Sequence, residues 1–119
     1  MMDKVNLAAK LDLIKEYWKP KVVAELNDSH VKIVKLKGEF VWHHHDREDE
    51  LFLVLKGNLR IDLRGETLRL GEGELAVIPR GAEHRPVADR EAYVLLVEPK
   101  TTVNTGDVQS ERTVRAEWI

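Results

Sequence analysis

The segment Trp42-His-His-His-Asp-Arg-Glu-Asp-Glu50 concentrates groups that can bind a metal ion. On an extended strand, side chains two residues apart share a face, so His43 and His45 point the same way, about 7 Å apart along the chain. Two imidazoles at that spacing can converge on one ion, because metal–nitrogen bonds are only about 2.1 Å long. His44 faces the other way and reads as an outward neighbour. Asp46 to Asp49 suit a solvated bend, after which Glu50 opens a further strand and shares its face with Phe52 and Val54. His84 follows Pro79-Arg80-Gly81 after two intervening residues, and such a turn can aim it inward. His43, His45, Glu50 and His84 together offer three nitrogens and one oxygen. With no thiol in the chain, that set suits iron, manganese, nickel, copper or zinc. Four protein ligands leave positions on a six-coordinate ion for water, substrate or dioxygen. Plainer readings exist: a solvated polar run for the histidines, a surface carboxylate for Glu50, a turn residue for His84. The agreement of the His-x-His spacing with the later His84 favours the ion.

These residues need a scaffold. Leu7, Leu11, Ile14 and Trp18 recur at helical spacing and predict one short amphipathic helix, capped by Asn6 or Asp3 and stopped by Pro20. From Val22 the period becomes two. Val31, Ile33 and Leu36 predict a strand broken at Gly38, and Phe40 to His45 a further short strand. Leu51 to Leu55 is apolar at every position, as a strand covered on both faces reads, and Leu51, Leu53 and Leu55 are expected in the core. Turns at Gly57-Asn58 and Arg64-Gly65-Glu66 flank the alternating Leu59, Ile61 and Leu63. Leu75 to Ile78 and Tyr93 to Val97 are the remaining clear strands. After Pro99 the chain turns polar and reads as a loop or tail laid across the surface. Many short strands between turns argue for an all-β sandwich or barrel.

The composition narrows the function. The chain has 119 residues, 43% hydrophobic, enough for one domain with its own core. Its 19 basic and 21 acidic residues leave a net charge of -2, which disfavours nucleic acid and anionic membrane as partners. Cysteine is absent, which excludes disulfides and thiolate chemistry and suits a reducing compartment. The longest clean apolar run, Leu51 to Leu55, is far short of a membrane span. The first ten residues lack the apolar stretch of a signal peptide, so a cytoplasmic protein is expected, and the Asn27-Asp28-Ser29 sequon is a chance match. Arg47, Arg80 and Arg85 can greet an anionic substrate, although scattered surface arginine is the simpler reading. Trp18, Trp42 and Trp118 read as packing or interface groups.

The motif spacing resembles that of the cupins. Gly38, four residues, His43-x-His45, four residues, Glu50, six residues and Gly57 follow the first cupin motif, with one residue fewer after Gly38. Gly73, five residues, Pro79-x-Gly81, two residues and His84 follow the second, with Ala88 where the family carries asparagine. More specifically, the chain is similar to small single-domain cupins often labelled mannose-6-phosphate isomerase-like. The resemblance implies an all-β cupin jelly-roll barrel, often dimeric, holding one divalent metal ion on His43, His45, Glu50 and His84. The expected layout is an N-terminal helical segment at 1–20 packed on the barrel, the barrel at 21–99, and a tail at 100–119 of the same domain. Cupins include isomerases, epimerases, dioxygenases, decarboxylases and sugar sensors, so fold does not settle the activity. Three classes compete: a metal-dependent enzyme of isomerase or dioxygenase type, a non-catalytic small-molecule binding module, and a metal-free structural barrel. The apolar run at Leu51–Leu55, with Leu11, Ile14 and Trp18, also predicts a homodimer.

Overall fold

Apolar alternation from Val22 onward builds strands that share their inward rows. In the computed structural model, which describes residues 3–119, one helix, α1 (Leu7–Leu11), precedes eight strands. They are β1 (Lys21–Leu26), β2 (Ser29–Glu39), β3 (Glu50–Lys56), β4 (Leu59–Leu63), β5 (Glu66–Leu70), β6 (Leu75–Ile78), β7 (His84–Pro99) and β8 (Glu117–Trp118). The first two positions of the expected 1–20 segment lie outside the described residues.

The spine of the fold is β7. Along one edge it pairs antiparallel with β2, from Ser29↔Pro99 to Glu39↔Val87. Along the other edge its later half pairs with β3 and its first residues with β4. β6 extends β3, β5 extends β4, and β1 extends β2. One long strand thus feeds two half-sheets, giving a jelly-roll whose sheet is not closed. Between them lies the main core, which includes Val34 and Leu36 from β2, Phe52 and Val54 from β3, and Val94 and Leu96 from β7. These residues are the even-numbered rows of their strands, as a period of two requires. On the opposite face of β2, Ile33 packs with Val23, Leu11 and Ile14. Burying Leu11 and Ile14 there contributes about 1.5–3 kcal/mol each.

The structure corrects several expectations. The helix stops at Leu11, with Asn6 as its N-cap accepting from the Ala9 N–H at 3.0 Å. Trp18 does not continue its face. It sits at φ 64 and its ring stacks on Phe40 at 4.9 Å, beside the main core. Phe40 to His45 is not a regular strand. The segment spends three residues between Glu39 and His43 where β7 spends two between His84 and Val87, so the ladder breaks and a single bridge, His43↔His84, resumes it. Leu51, Leu53 and Leu55 are only half-buried, because they occupy the outer row of β3 while Phe52 and Val54 fill the core. The strand expected at Tyr93–Val97 is the end of a much longer one. The exposed Asp89-Arg90-Glu91 within it, where β7 leaves β4 for β3, disguised the continuity. The tail after Pro99 is tied in: β8 adds a parallel strand beside β1, and Thr105 is fully buried.

Candidate metal centre

Four local devices bring the proposed ligands together. His43 is held by reciprocal backbone bonds with His84, at 3.0 and 2.9 Å. The carbonyl of His45 accepts from the Gly81 N–H at 2.8 Å, which ties the His-x-His segment to the Pro-x-Gly turn. Arg80 clamps Asp49 through its backbone N–H at 2.9 Å and its guanidinium at 3.2 Å, fixing the bend just before Glu50. Glu50 and His84 are the first residues of β3 and β7. The ligating atoms of His43, His45, Glu50 and His84 all lie within 4.8 Å of one another, and all four side chains are buried. Bonds of about 2.1 Å to a shared ion place neighbouring donors roughly 3.0 to 4.2 Å apart, so the cluster needs a contraction of only tenths of an ångström.

The hydrogen bonding leaves this cluster unsatisfied inside. His43 and His84 each donate Nδ1–H to a carbonyl two residues earlier, Val41 at 2.8 Å and Ala82 at 2.9 Å. That fixes the tautomer and turns both Nε2 lone pairs toward the cluster. His45 Nε2 and His84 Nε2 each sit 3.4 Å from Glu50 Oε1, too poorly aligned to be hydrogen bonds. Both nitrogens of His45, Nε2 of His84 and Oε1 of Glu50 are therefore buried without a partner. Leaving such groups unpaired costs about 1–3 kcal/mol each. One nitrogen of His45, Nε2 of His84 and Oε1 of Glu50 lie close together beside the His43 ring, and a divalent ion would satisfy them; three neutral imidazoles with one carboxylate suit it. Burial, then the repulsion of His84, lowers His43 to about 4, so its lone pair is free at neutral pH.

Two buried charged groups beside the cluster escaped the sequence reading. Glu98 and Lys32 are buried beside the cluster, with Lys32 Nζ 3.3 Å from Glu98 Oε2. Burial pushes the Glu98 carboxyl up, and the charge of the adjacent Glu50 pushes it further. Burial also pushes Glu50 up, but its contacts with His45, His84 and Glu98 outweigh that and hold it below the usual carboxylate range. The available signal was alternation: Lys32 precedes Val34 and Leu36 in the inward row of β2, and Glu98 follows Val94 and Leu96 in that of β7.

His43 and Glu50 form part of the wall of a cavity of about 50 Å³, shared with Lys32, Glu98, Trp18, Phe40 and Phe52. The tail contributes Thr102, Asn104 and Val114 to the same wall. His44 points away, contacting Asp46 at 2.9 Å and Asp107 at 3.3 Å. None of the three arginines lines this cavity. Arg80 is engaged by Asp49, Arg85 by Asp62 and Glu39, and Arg47 borders an outer groove. Trp42 lies under the guanidinium of Arg64, at 3.9 Å.

Residues 30–98 match the family model described as a cupin domain. The chain is 38% identical over 96 residues to the Bacillus subtilis (strain 168) protein YdbB, covering 80% of this chain and 85% of that one. Among solved structures it is similar to a cupin-2 domain-containing protein from Shewanella frigidimarina, with TM-score 0.79 and 44% identity over 80% of this chain and 93% of that one. The Neisseria meningitidis protein NMB1881 superposes with TM-score 0.76 and 32% identity over 82% and 99% of the two chains.

Proposed function

This chain belongs to the cupin family, and from that premise we propose that His43, His45, Glu50 and His84 hold one divalent metal ion whose remaining positions are open to a small-molecule ligand or substrate. The observation that carries the reading is that His45, Glu50 and His84 bring buried, partnerless atoms within 4.8 Å of one another beside His43. A metal-free structural barrel gives no reason to bury them unpaired. When bound, the ion supplies Lewis-acid polarisation of a ligand oxygen. The chain's own residues do the rest. Nδ1 bonds to Val41 and Ala82 lock the rings of His43 and His84. Trp18, Phe40 and Phe52 make an apolar wall that limits water. Glu98 gives the cavity a carboxyl able to carry a proton, which favours an enzyme of isomerase or dioxygenase type over a non-catalytic binding module. The ion is one of iron, manganese, nickel, copper or zinc.

The test is spectroscopic. Cobalt- or copper-loaded protein is titrated with small carboxylates, diols and enolisable carbonyl compounds. The metal spectrum is expected to change with at least one class, and His43→Ala to abolish the change. A spectrum indifferent to the whole panel contradicts an open site.

The homodimer belongs to this reading too. Leu11 and Ile14 add no free apolar surface, because both are buried against β1 and β2. The outer face of β3 and β6 does: Leu51 and Leu53 are half-buried there, while Leu75 is 56% and Val77 53% exposed. A second copy laid on this face would bury the strip, and a stable dimer needs roughly 1,000 Å² or more in total. Light scattering at micromolar concentration is expected to give twice the 13.7 kDa chain mass. A mass near the single chain contradicts the dimer.

A further inference from the structure

Lys32 is 5% exposed, and its side chain lines the cavity rather than reaching solvent. An ammonium group carries three donors, and removing it from water is costly unless they are used. Among the described residues its hydrogen-bond partner is Glu98, at 3.3 Å, longer than a tight charge-assisted bond. Donor capacity on Lys32 is therefore left over, on a side chain that lines the cavity.

The strand order fixes how far that capacity lies from the metal centre. Lys32 on β2, Glu98 on β7 and Glu50 on β3 belong to the inward rows of three adjacent strands, at the same end of the barrel. β2 and β3 flank β7, so their axes are about 10 Å apart, two strand spacings. Long side chains reaching inward shorten the gap to a few atoms. The charge balance points the same way. With a divalent ion in place, the ion and Lys32 outweigh Glu50 and Glu98 even when both carboxyls are ionised, and the neighbouring histidines add no negative charge. A cavity of that sign favours an anion. Its volume of about 50 Å³ compares with about 10–15 Å³ for one water, so the enclosed part takes only a few heavy atoms. A single ammonium beside aromatic walls suits a flat carboxylate; a phosphate group calls for more donors.

Resting on the metal reading above, we propose that Lys32 is the anion-binding residue of this cavity. Its ligand is a short carboxylate with a second oxygen, of the 2-hydroxy or 2-oxo acid class. The carboxylate meets Lys32 and the second oxygen meets the ion.

The experiment compares lactate with lactamide, equal in shape and different in charge, by calorimetric titration of metal-loaded protein. Metal content is measured on the same samples. Wild-type protein is expected to prefer lactate by about tenfold or more. Lys32→Met should lose that preference while keeping its ion, and Lys32→Arg should keep both. Equal affinity for the two compounds, binding of neither, or a preference that survives Lys32→Met overturns the proposal while leaving the metal reading intact. The wild-type comparison decides even if a variant fails to fold. Wild-type protein that holds no ion overturns the metal reading, and this assignment with it.

Discussion

Stripping the ion from metal-loaded protein is expected to lower the melting temperature by on the order of 15 °C, and in His84→Ala the loaded and stripped proteins should melt together. An ion at about 1,000 times its dissociation constant stabilises the native state by about 4 kcal/mol, which gives a shift of that size for a chain this long. His84 is fully buried with Nε2 unpaired, so it has no function at that atom apart from the cluster. The pH dependence has a definite sign. Unfolded histidine titrates near 6.5 and His43 in the fold near 4, so between those values the unfolded chain binds the extra proton. Stability of the stripped protein therefore falls as pH drops from about 6.5 to about 4, by about 3 kcal/mol at most. Metal affinity falls in the same direction, because coordination requires neutral imidazole. Thermal melts with and without chelator, repeated across this range, measure both effects. A shift that persists in His84→Ala contradicts the ligand assignment.

Gly106→Ala should destabilise the protein by about 2–4 kcal/mol and loosen the metal centre from the far side of the chain. Gly106 sits at φ +56, a conformation costly for residues with a Cβ. A Cβ there would collide with the His44 carbonyl oxygen, come within 2.9 Å of the His44 carbonyl carbon, and lie 3.0 Å from Cδ2 of the His43 ring. Two of those atoms are backbone and cannot rotate away. Either the tail lifts or the His43–His45 segment shifts. Lifting breaks the paired bonds in which Asp107 N–H donates to the His44 carbonyl at 3.0 Å and the Asp107 carboxylate accepts from the His44 N–H at 2.9 Å. It also opens the cavity wall that Thr102, Asn104 and Val114 complete. Denaturant unfolding and metal titration of the variant should both change. A stability loss under about 0.5 kcal/mol would mean that the tail does not brace the site.

The clustering of His43, His45, Glu50 and His84 was legible in the sequence because its information is local. The His-x-His face, the bend into Glu50 and the turn before His84 each follow from a few neighbouring residues. Lys32 and Glu98 went unread despite alternating with Val34 and Leu96, because a lone charge in a strand ordinarily faces solvent. Only the pairing of β2 and β3 with β7 shows that both face inward beside Glu50. The tail was opaque for a similar reason. Gly106 and Asp107 matter through contacts with His43 and His44 more than sixty residues away, and nothing near them in sequence signals it. Leu51 and Leu53 misled because leucine occupies both rows of β3, and an apolar run does not say which row is inside. Trp18 fitted a helical spacing that the chain abandons when it turns at φ 64.

The central claim is that four buried side chains exist to hold an ion, and elemental analysis tests it most directly. Protein purified without added metal, then reconstituted separately with iron, manganese, nickel, copper and zinc, should carry close to one ion per chain for at least one of them. The His43→Ala/His84→Ala double variant should carry almost none while keeping its β-rich circular dichroism. Well under one ion per chain with every metal, or the same content in the double variant as in wild type, would contradict it.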